Sequence, residues 1–340
     1  MPVTLKPLAE QTIVITGASS GIGLATALIA AQRGARVVLA ARNAEALERI
    51  ADRIVKRGGQ ALAVPTDVAD NDAVLRLRDA ALTRFGKIDT WVNDAAAATY
   101  GKLADLPLAD QRQMFDVGYW GTVHGSLAFA AHARTGEGGA LINVGSILGE
   151  RSIMLQGPYS AMKHAVAGFT EALRTELEAD GAPISVTLIK PAAMNTPYPE
   201  HARNLMPNPA TLPPVIYDPR LTARAILYCA GTPRRMMTVG GTGRLLANLA
   251  TLFPAATDAL MEAGGAAAQQ RAEPPKPGRH DNLYEAREDG AIEDSRPANV
   301  RRTSLYLEAQ MRPALTTALL GAGGTALALA ALARPRRRAR

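Results

Sequence analysis

The sequence predicts a doubly wound α/β fold built on a parallel sheet. Three observations carry this. Short β-branched runs alternate with longer Ala/Leu-rich amphipathic stretches through the first 190 residues, the runs are apolar on both faces, and a glycine-rich loop joins the first run to the first helical stretch. A strand that is apolar throughout needs cover on both sides, and helices in right-handed crossovers supply it.

Strands are expected at 12–16 (TIVIT), 36–40 (RVVLA), 61–65 (ALAVP), 89–93 (DTWVN), 140–144 (ALINV) and 184–189 (ISVTLI), with a short last one near 236–240 (MMTVG). Helices are expected at about 21–33, 44–57, 70–85, 107–133 and 157–179. Residues 191–235 are rich in proline and lack a clear period. They follow a strand end, at the edge where open α/β sheets bind ligands, and read as a substrate-covering loop or an ordinary surface connection. The main domain is expected to span 1–250. Residues 251–313 form an extension, partly disordered, whose stretch 264–303 carries Gly, Pro and charge (EPPKPGRHDN, EAREDG) and little core of its own.

Residues 314–333, ALTTALLGAGGTALALAALA, form an uncharged run, and an Arg-rich tail (334–340) follows. A run of about 20 residues is long enough to span a bilayer. Ala, Gly and Thr make this one only weakly hydrophobic, and arginines behind it would put a cytoplasmic enzyme's tail on the wrong side of a single span. The expectation is a helix that inserts shallowly at a membrane surface or packs on protein, with its arginines drawn to anionic lipid.

Composition narrows the function classes. The formal charge is +7, but Arg334, Arg336, Arg337, Arg338 and Arg340 account for most of it. The body is not notably basic, so no nucleic-acid partner is expected. Cys229 is the only cysteine, which excludes an internal disulfide and a multi-cysteine zinc site. No metal is expected. The N-terminal MPVTLKPLAE has no basic stretch followed by an apolar run. Together these point to a reducing cytoplasm.

The first strand runs into Thr16-Gly17-Ala18-Ser19-Ser20-Gly21-Ile22-Gly23, and a helix follows. Glycines let the backbone turn tightly and approach a pyrophosphate, and the helix N-terminus supplies free N–H groups and partial positive charge. Gly17, Ser19, Ser20, Gly21, Ile22 and Gly23 are therefore candidate nucleotide contacts. The second strand ends in Ala41-Arg42 rather than an acidic residue. A guanidinium there suits the 2′-phosphate of NADP(H) better than the bare ribose of NAD(H). Asp67, next to Val68, is placed to accept from the adenine amino group or to cap the next helix. Asn93 closes the fourth strand beside the expected cofactor ribose.

The fifth strand leads to Ser146, and Tyr159 and Lys163 follow in YSAMK. Four residues apart on a helix, Tyr159 and Lys163 share a face. A free phenol titrates near 10, and a neighbouring ammonium favours the phenolate. Ser146 can hydrogen-bond a substrate oxygen while Tyr159 gives or takes its proton.

With these pieces in order, the chain resembles the short-chain dehydrogenase/reductase family over about residues 10–240, through TGASSGIG, Asp67, Ser146, Tyr159-x-x-x-Lys163 and Pro191-Ala192-Ala193-Met194-Asn195-Thr196. The resemblance implies a Rossmann sheet of order 3-2-1-4-5-6-7, dimers or tetramers, and an alcohol or carbonyl substrate. It also implies nicotinamide-end contacts from Pro191 and Thr196, ribose contacts from Tyr159 and Lys163, and contacts near Asn93 and Ala95. Two positions depart from the family. Its N-N-A-G stands here as Asn93-Asp94-Ala95-Ala96, and its fourth catalytic residue, an asparagine, aligns with Gly118, whose carbonyl alone remains to hold a proton-path water. The expected function is an NADP(H)-dependent reaction at a CH–OH or carbonyl carbon. The alternative, motivated by Gly118 and Asp94, is a nucleotide-binding scaffold or redox sensor with little turnover. Tyr198, His201, Leu205 and Met206, with Ala95, Ala97 and Tyr119, suggest a partly apolar substrate pocket.

Overall fold

Alternation along β1 (Thr12–Thr16) sends Ile13 and Ile15 to one face and Val14 to the other, and all five residues are buried. The strand must therefore lie at the centre of a sheet covered on both sides. The structure, a computed structural model, describes residues 3–273, 280–287, 290–294, 296 and 299–318. It contains a seven-stranded parallel sheet formed by β1, β2 (Arg36–Ala41), β3 (Gln60–Pro65), β4 (Thr90–Asn93), β5 (Gly139–Val144), β6 (Ile184–Pro191) and β7 (Met236–Val239). The order is 3-2-1-4-5-6-7, as the family resemblance implies. The central strands β1, β5 and β6 are wholly buried, and β3, at one edge, is only partly covered.

Two hydrophobic clusters flank the sheet. Ile13, Ile15, Leu24, Leu39, Ile142, Ile189 and Ile226 form one, against α1 (Gly21–Gln32) and α7 (Pro219–Gly231). Val14, Val38, Trp91, Phe129, Leu141 and Met162 form the other. Local chemistry sets the helix ends. Asn43 caps α2 (Ala44–Val55) by accepting from Ala46 N at 2.9 Å. Asp70 caps α3 (Asn71–Phe85), and Gly86, at φ +76°, ends it.

The helix expected over 107–133 is three pieces: α4 (Leu108–Phe115), a π-helical turn (Asp116–Trp120) and α5 (Gly121–Ala133). A Cβ on Gly118 would lie 2.7 Å from the Met162 sulfur, and one on Gly121 would lie 2.6 Å from Val68. The turn widens where the helix passes closest to its neighbours. The fifth long helix, α6 (Gly157–Ala179), spans what the sequence predicts.

After β7 come α8 (Gly241–Leu252) and α9 (Pro254–Gly264), and then a largely irregular extension. The extension has more core than its composition suggests, because Leu283 joins one hydrophobic cluster and Leu307 the other, each with no exposed surface. Val300 and Arg301 pair in parallel with Ile216 and Tyr217. The short helix α10 (Leu305–Met311) then covers the β7 edge, where the Gln310 amide donates to Thr238 O (2.8 Å) and accepts from Thr238 N (3.0 Å). Among the described residues no helix is long and apolar enough to cross a membrane. Most of the apolar run at 314–333 and all of the Arg-rich tail lie outside the described residues.

Candidate active site

The carboxyl ends of the strands converge on one cavity of about 620 Å³. The glycine-rich turn forms part of its wall. Gly17 sits at φ +72° and Gly21 at φ +55°, backbone that other residues rarely adopt. A Cβ on Gly17 would meet Ala95 N at 2.9 Å, and one on Gly23 would meet Gly17 O at 2.3 Å. The turn is thus pressed against β4 and its own helix. Gly17, Ser19, Ser20, Gly21 and Ile22 line the cavity. Gly23 does not, and its role is to let α1 pack closely.

Arg42, Asp67, Val68, Ala95, Pro191 and Thr196 line the same cavity. Asp67 also accepts from Ala69 N (3.0 Å), a local turn, while Asp70 caps the following helix. Asn93 departs from expectation. Its Nδ2 donates to Asn143 Oδ1 (2.8 Å), Ser126 Oγ (3.1 Å) and Thr122 O (3.3 Å), and its Oδ1 accepts from Trp91 Nε1 (2.8 Å). The side chain is consumed in a buried network that ties β4 to β5 and α5, so it does not face the cavity.

Ser146, Tyr159 and Lys163 meet in the cavity wall. Ser146 accepts from Leu148 N at 3.1 Å and hydrogen-bonds Tyr159. The Lys163 ammonium lies 5.7 Å from the Tyr159 ring centre and donates to Val144 O at 2.8 Å. Desolvation holds the Tyr159 phenol above its ordinary range, opposed by the Ser146 hydrogen bond and reinforced by Asp94. Desolvation sets the direction here, so the net shift is opposite to the lysine-driven lowering expected from the sequence. Desolvation lowers Lys163 to about 8, offset in part by Asp94. Asp94 is in turn raised to about 7 by desolvation, against the pull of Lys163 and a hydrogen bond from Gly23 N–H.

Met162 fills the space an asparagine side chain at 118 would take, and the Gly118 carbonyl accepts from Thr122 Oγ1 at 2.8 Å. A polar chain approaches Tyr159. The Tyr198 ring stands edge-on to it at 5.4 Å, Tyr198 OH donates to Gln156 Oε1 (2.8 Å), and Gln156 Nε2 donates to Gln269 Oε1 (2.7 Å). The outer cavity is apolar, with Leu212, Val215, Leu246, Leu260 and Met261 in its wall. Of the residues expected around a substrate, Ala95, Tyr198 and His201 line the cavity. Met206 is buried in a small cluster with Ala98 and Tyr100, Ala97 belongs to the core, Tyr119 packs on Phe169, and Leu205 is exposed.

Sequence reasoning missed Gln156, Gln269 and the cavity-lining residues of α8 and α9. It also missed Asn282, Ala286 and Arg287 of the extension, which line the cavity from its far side. The Arg42 guanidinium donates to the carbonyls of Asn282 and, at 3.0 Å, Tyr284.

Comparisons with known proteins agree with this fold. The short chain dehydrogenase family profile matches residues 11–205. An uncharacterised oxidoreductase of Bacillus subtilis, YxnA, is 44% identical, over 93% of this chain and 89% of its own. A short-chain dehydrogenase/reductase from Burkholderia phymatum, solved in complex with NAD, superposes with a TM-score of 0.65 at 28% identity, covering 73% of this chain and 96% of that one. An alcohol dehydrogenase from Thermococcus sibiricus, complexed with 5-hydroxy-NADP, shares the fold with a TM-score of 0.59 at 24% identity, covering 67% of this chain and 95% of that one. The chain belongs to the short-chain dehydrogenase/reductase family, and its class is that of a nicotinamide-cofactor oxidoreductase.

Proposed function

We propose that this chain is an NADP(H)-dependent oxidoreductase acting on an alcohol or carbonyl carbon, with Tyr159 as acid/base. The observation that carries the reading is the meeting of Ser146, Tyr159 and Lys163 with the glycine-rich turn in one cavity. The residues present suit a dinucleotide. Gly17 and Gly21 take positive φ, which lets the turn pack closely on Ala95 and Thr196, and the α1 N-terminus brings partial positive charge to it. Gly17 to Ile22 would hold the pyrophosphate, Asp67 and Val68 the adenine, Lys163 the nicotinamide ribose, and Pro191 and Thr196 the nicotinamide end. When bound, the cofactor supplies or accepts a hydride.

The protein's part is orientation and proton transfer. Ser146 holds the substrate oxygen beside Tyr159. With its phenol held above the usual range, Tyr159 stays protonated through neutral pH and gives its proton to that oxygen in the reductive direction. Lys163, lowered to about 8, carries its ammonium at neutral pH and keeps the local potential positive. Arg42 supports NADP(H) over NAD(H). Its partners in the extension are neutral carbonyls, which orient the guanidinium and leave its charge for a 2′-phosphate. The apolar outer wall supports a hydrophobic alcohol or ketone as substrate.

The test follows NADPH and NADH fluorescence on binding, then NADPH consumption with a panel of aldehydes and ketones. The expected result is NADPH-selective binding and turnover that falls by about 10³-fold in Tyr159→Phe, with cofactor affinity retained. One observation favours a second reading, a redox sensor with little turnover: at Gly118, Met162 fills the space where the family carries its fourth catalytic side chain. Tight NADPH binding with no turnover on any substrate, in wild type and variant alike, would sink the enzyme reading in favour of that one.

A further inference from the structure

Two stretches of the extension, 281–287 and 290–291, are anchored to the wall of the cavity. Arg42, at the end of β2, holds the carbonyls of Asn282 and Tyr284. Asn43 Nδ2 donates to Arg287 O at 2.7 Å. Further along, Gly290 N donates to Ser19 O (2.8 Å) and Gly21 N donates to Ala291 O (2.9 Å), so the chain comes down on the glycine-rich turn itself. Leu283 is buried in the core, and Tyr284 OH donates to Asp110 Oδ1 at 2.8 Å. This strap is fixed at both ends.

Arg287 ends the first of these stretches. Its backbone is tied to the β2 side of the cavity through Asn43, and its guanidinium reaches the opposite side, where it donates to Glu200 O in the turn Tyr198–His201. Its side chain therefore crosses the cleft, and it lines the cavity together with Ser19, Gly21 and Ile22. Among the described residues no carboxylate pairs with it, and its bonded partner there is a neutral carbonyl. A cation with no counter-charge among the described residues, held across a cavity whose facing wall carries a helix N-terminus, suits an anion. The cavity keeps about 620 Å³ with the strap in place, within the range of sites that enclose a ligand, so the strap roofs the site and does not fill it.

We propose that Arg287 is the strap's contribution to dinucleotide binding: its guanidinium pairs with the cofactor pyrophosphate from above while the glycine-rich turn holds it from below. The proposal rests on the dinucleotide reading of the cavity and adds a second wall to it. The chain thus encloses the phosphates, and Arg42 serves both as the strap's anchor and as the charge at the ribose end.

The test measures binding in the full-length protein, without turnover. Calorimetric titrations compare wild type, Arg287→Met and Arg287→Lys with three probes: NADPH, ADP, which carries a pyrophosphate, and adenosine 2′-monophosphate, which does not. Arg287→Met is expected to weaken NADPH and ADP by about tenfold and to leave adenosine 2′-monophosphate unchanged, with Arg287→Lys recovering part of the loss. Hydrogen exchange in wild type gives a measurement free of any variant: ADP should slow amide exchange over 281–287 and 290–292. Equal ADP affinity in all three proteins overturns the proposal, as does a loss confined to adenosine 2′-monophosphate, or exchange in the strap indifferent to ADP. A wild type that binds neither NADPH nor ADP overturns the dinucleotide reading itself, and this inference with it.

Discussion

Two regions enclose the same cleft by different means. The sheet and its crossover helices do it with apolar period: β1, β5 and β6 are buried along their whole length, and their side chains divide between two continuous clusters. The extension does it with single anchors. It pins itself by Arg42 and Asn43 to its own carbonyls, by a pair of backbone bonds to the glycine-rich turn, by Leu283 and Leu307, and by Gln310 at the sheet edge. A wall can thus be built without a period, provided each anchor finds a buried or fixed partner.

If the two regions form one cooperative unit, Leu307→Ala should cost as much as Ile226→Ala. Both side chains are fully buried in the same cluster, and each truncation is expected to destabilise by about 2–5 kcal/mol in denaturant melts. A cost below about 1 kcal/mol for Leu307 alone would make the extension a satellite of the sheet. A smaller effect is expected at the seam. Arg42→Ala should lower the preference for NADPH over NADH by about tenfold and speed proteolysis near 282–285, read by titration and by limited digestion. If the preference drops and the strap stays protected, the two roles of Arg42 separate.

A further effect concerns pH. Asp94, raised to about 7 in the folded protein, binds its proton more tightly than in the unfolded chain. That contribution is fully present below about pH 4 and is lost as pH rises through 7. The melting temperature of wild type should therefore fall relative to Asp94→Asn between about pH 4 and pH 7. Parallel profiles would show that the carboxylate is no more desolvated than in the unfolded chain. The comparison sharpens here, since Asp94 belongs to the sheet side alone.

The sheet was legible because hydrophobic period survives in a single sequence. The order of its strands came from the family resemblance and not from the period. The π-turn inside the helix expected over 107–133 was not legible, since the close approach of Met162 and Val68 to Gly118 and Gly121 exists only in the fold. Asn93 shows a different limit. Its place at a strand end points toward the cavity edge, yet the side chain satisfies itself on Asn143, Ser126 and Thr122. Position along a strand does not say where a buried amide finds acceptors. The strap was invisible for a related reason. A Gly/Pro/charge-rich stretch looks like a linker, and carbonyls that accept from Arg42 leave no mark on composition. Only the outer apolar wall had a further signal, the apolar residues of α8 and α9, and these followed the last expected strand.

Gly118 and Met162 carry a consequence for how this chain can change. The thioether occupies the volume that a side chain at 118 would need, with a Cβ there 2.7 Å from the sulfur. An amide at 118 would have to push aside a fully buried methionine, whereas a smaller residue at 162 facing the glycine would leave a void. Each change is expected to be damaging alone and better tolerated beside the other, so the two positions should behave as a single locus. Drift in this family at either site is therefore expected to travel in pairs.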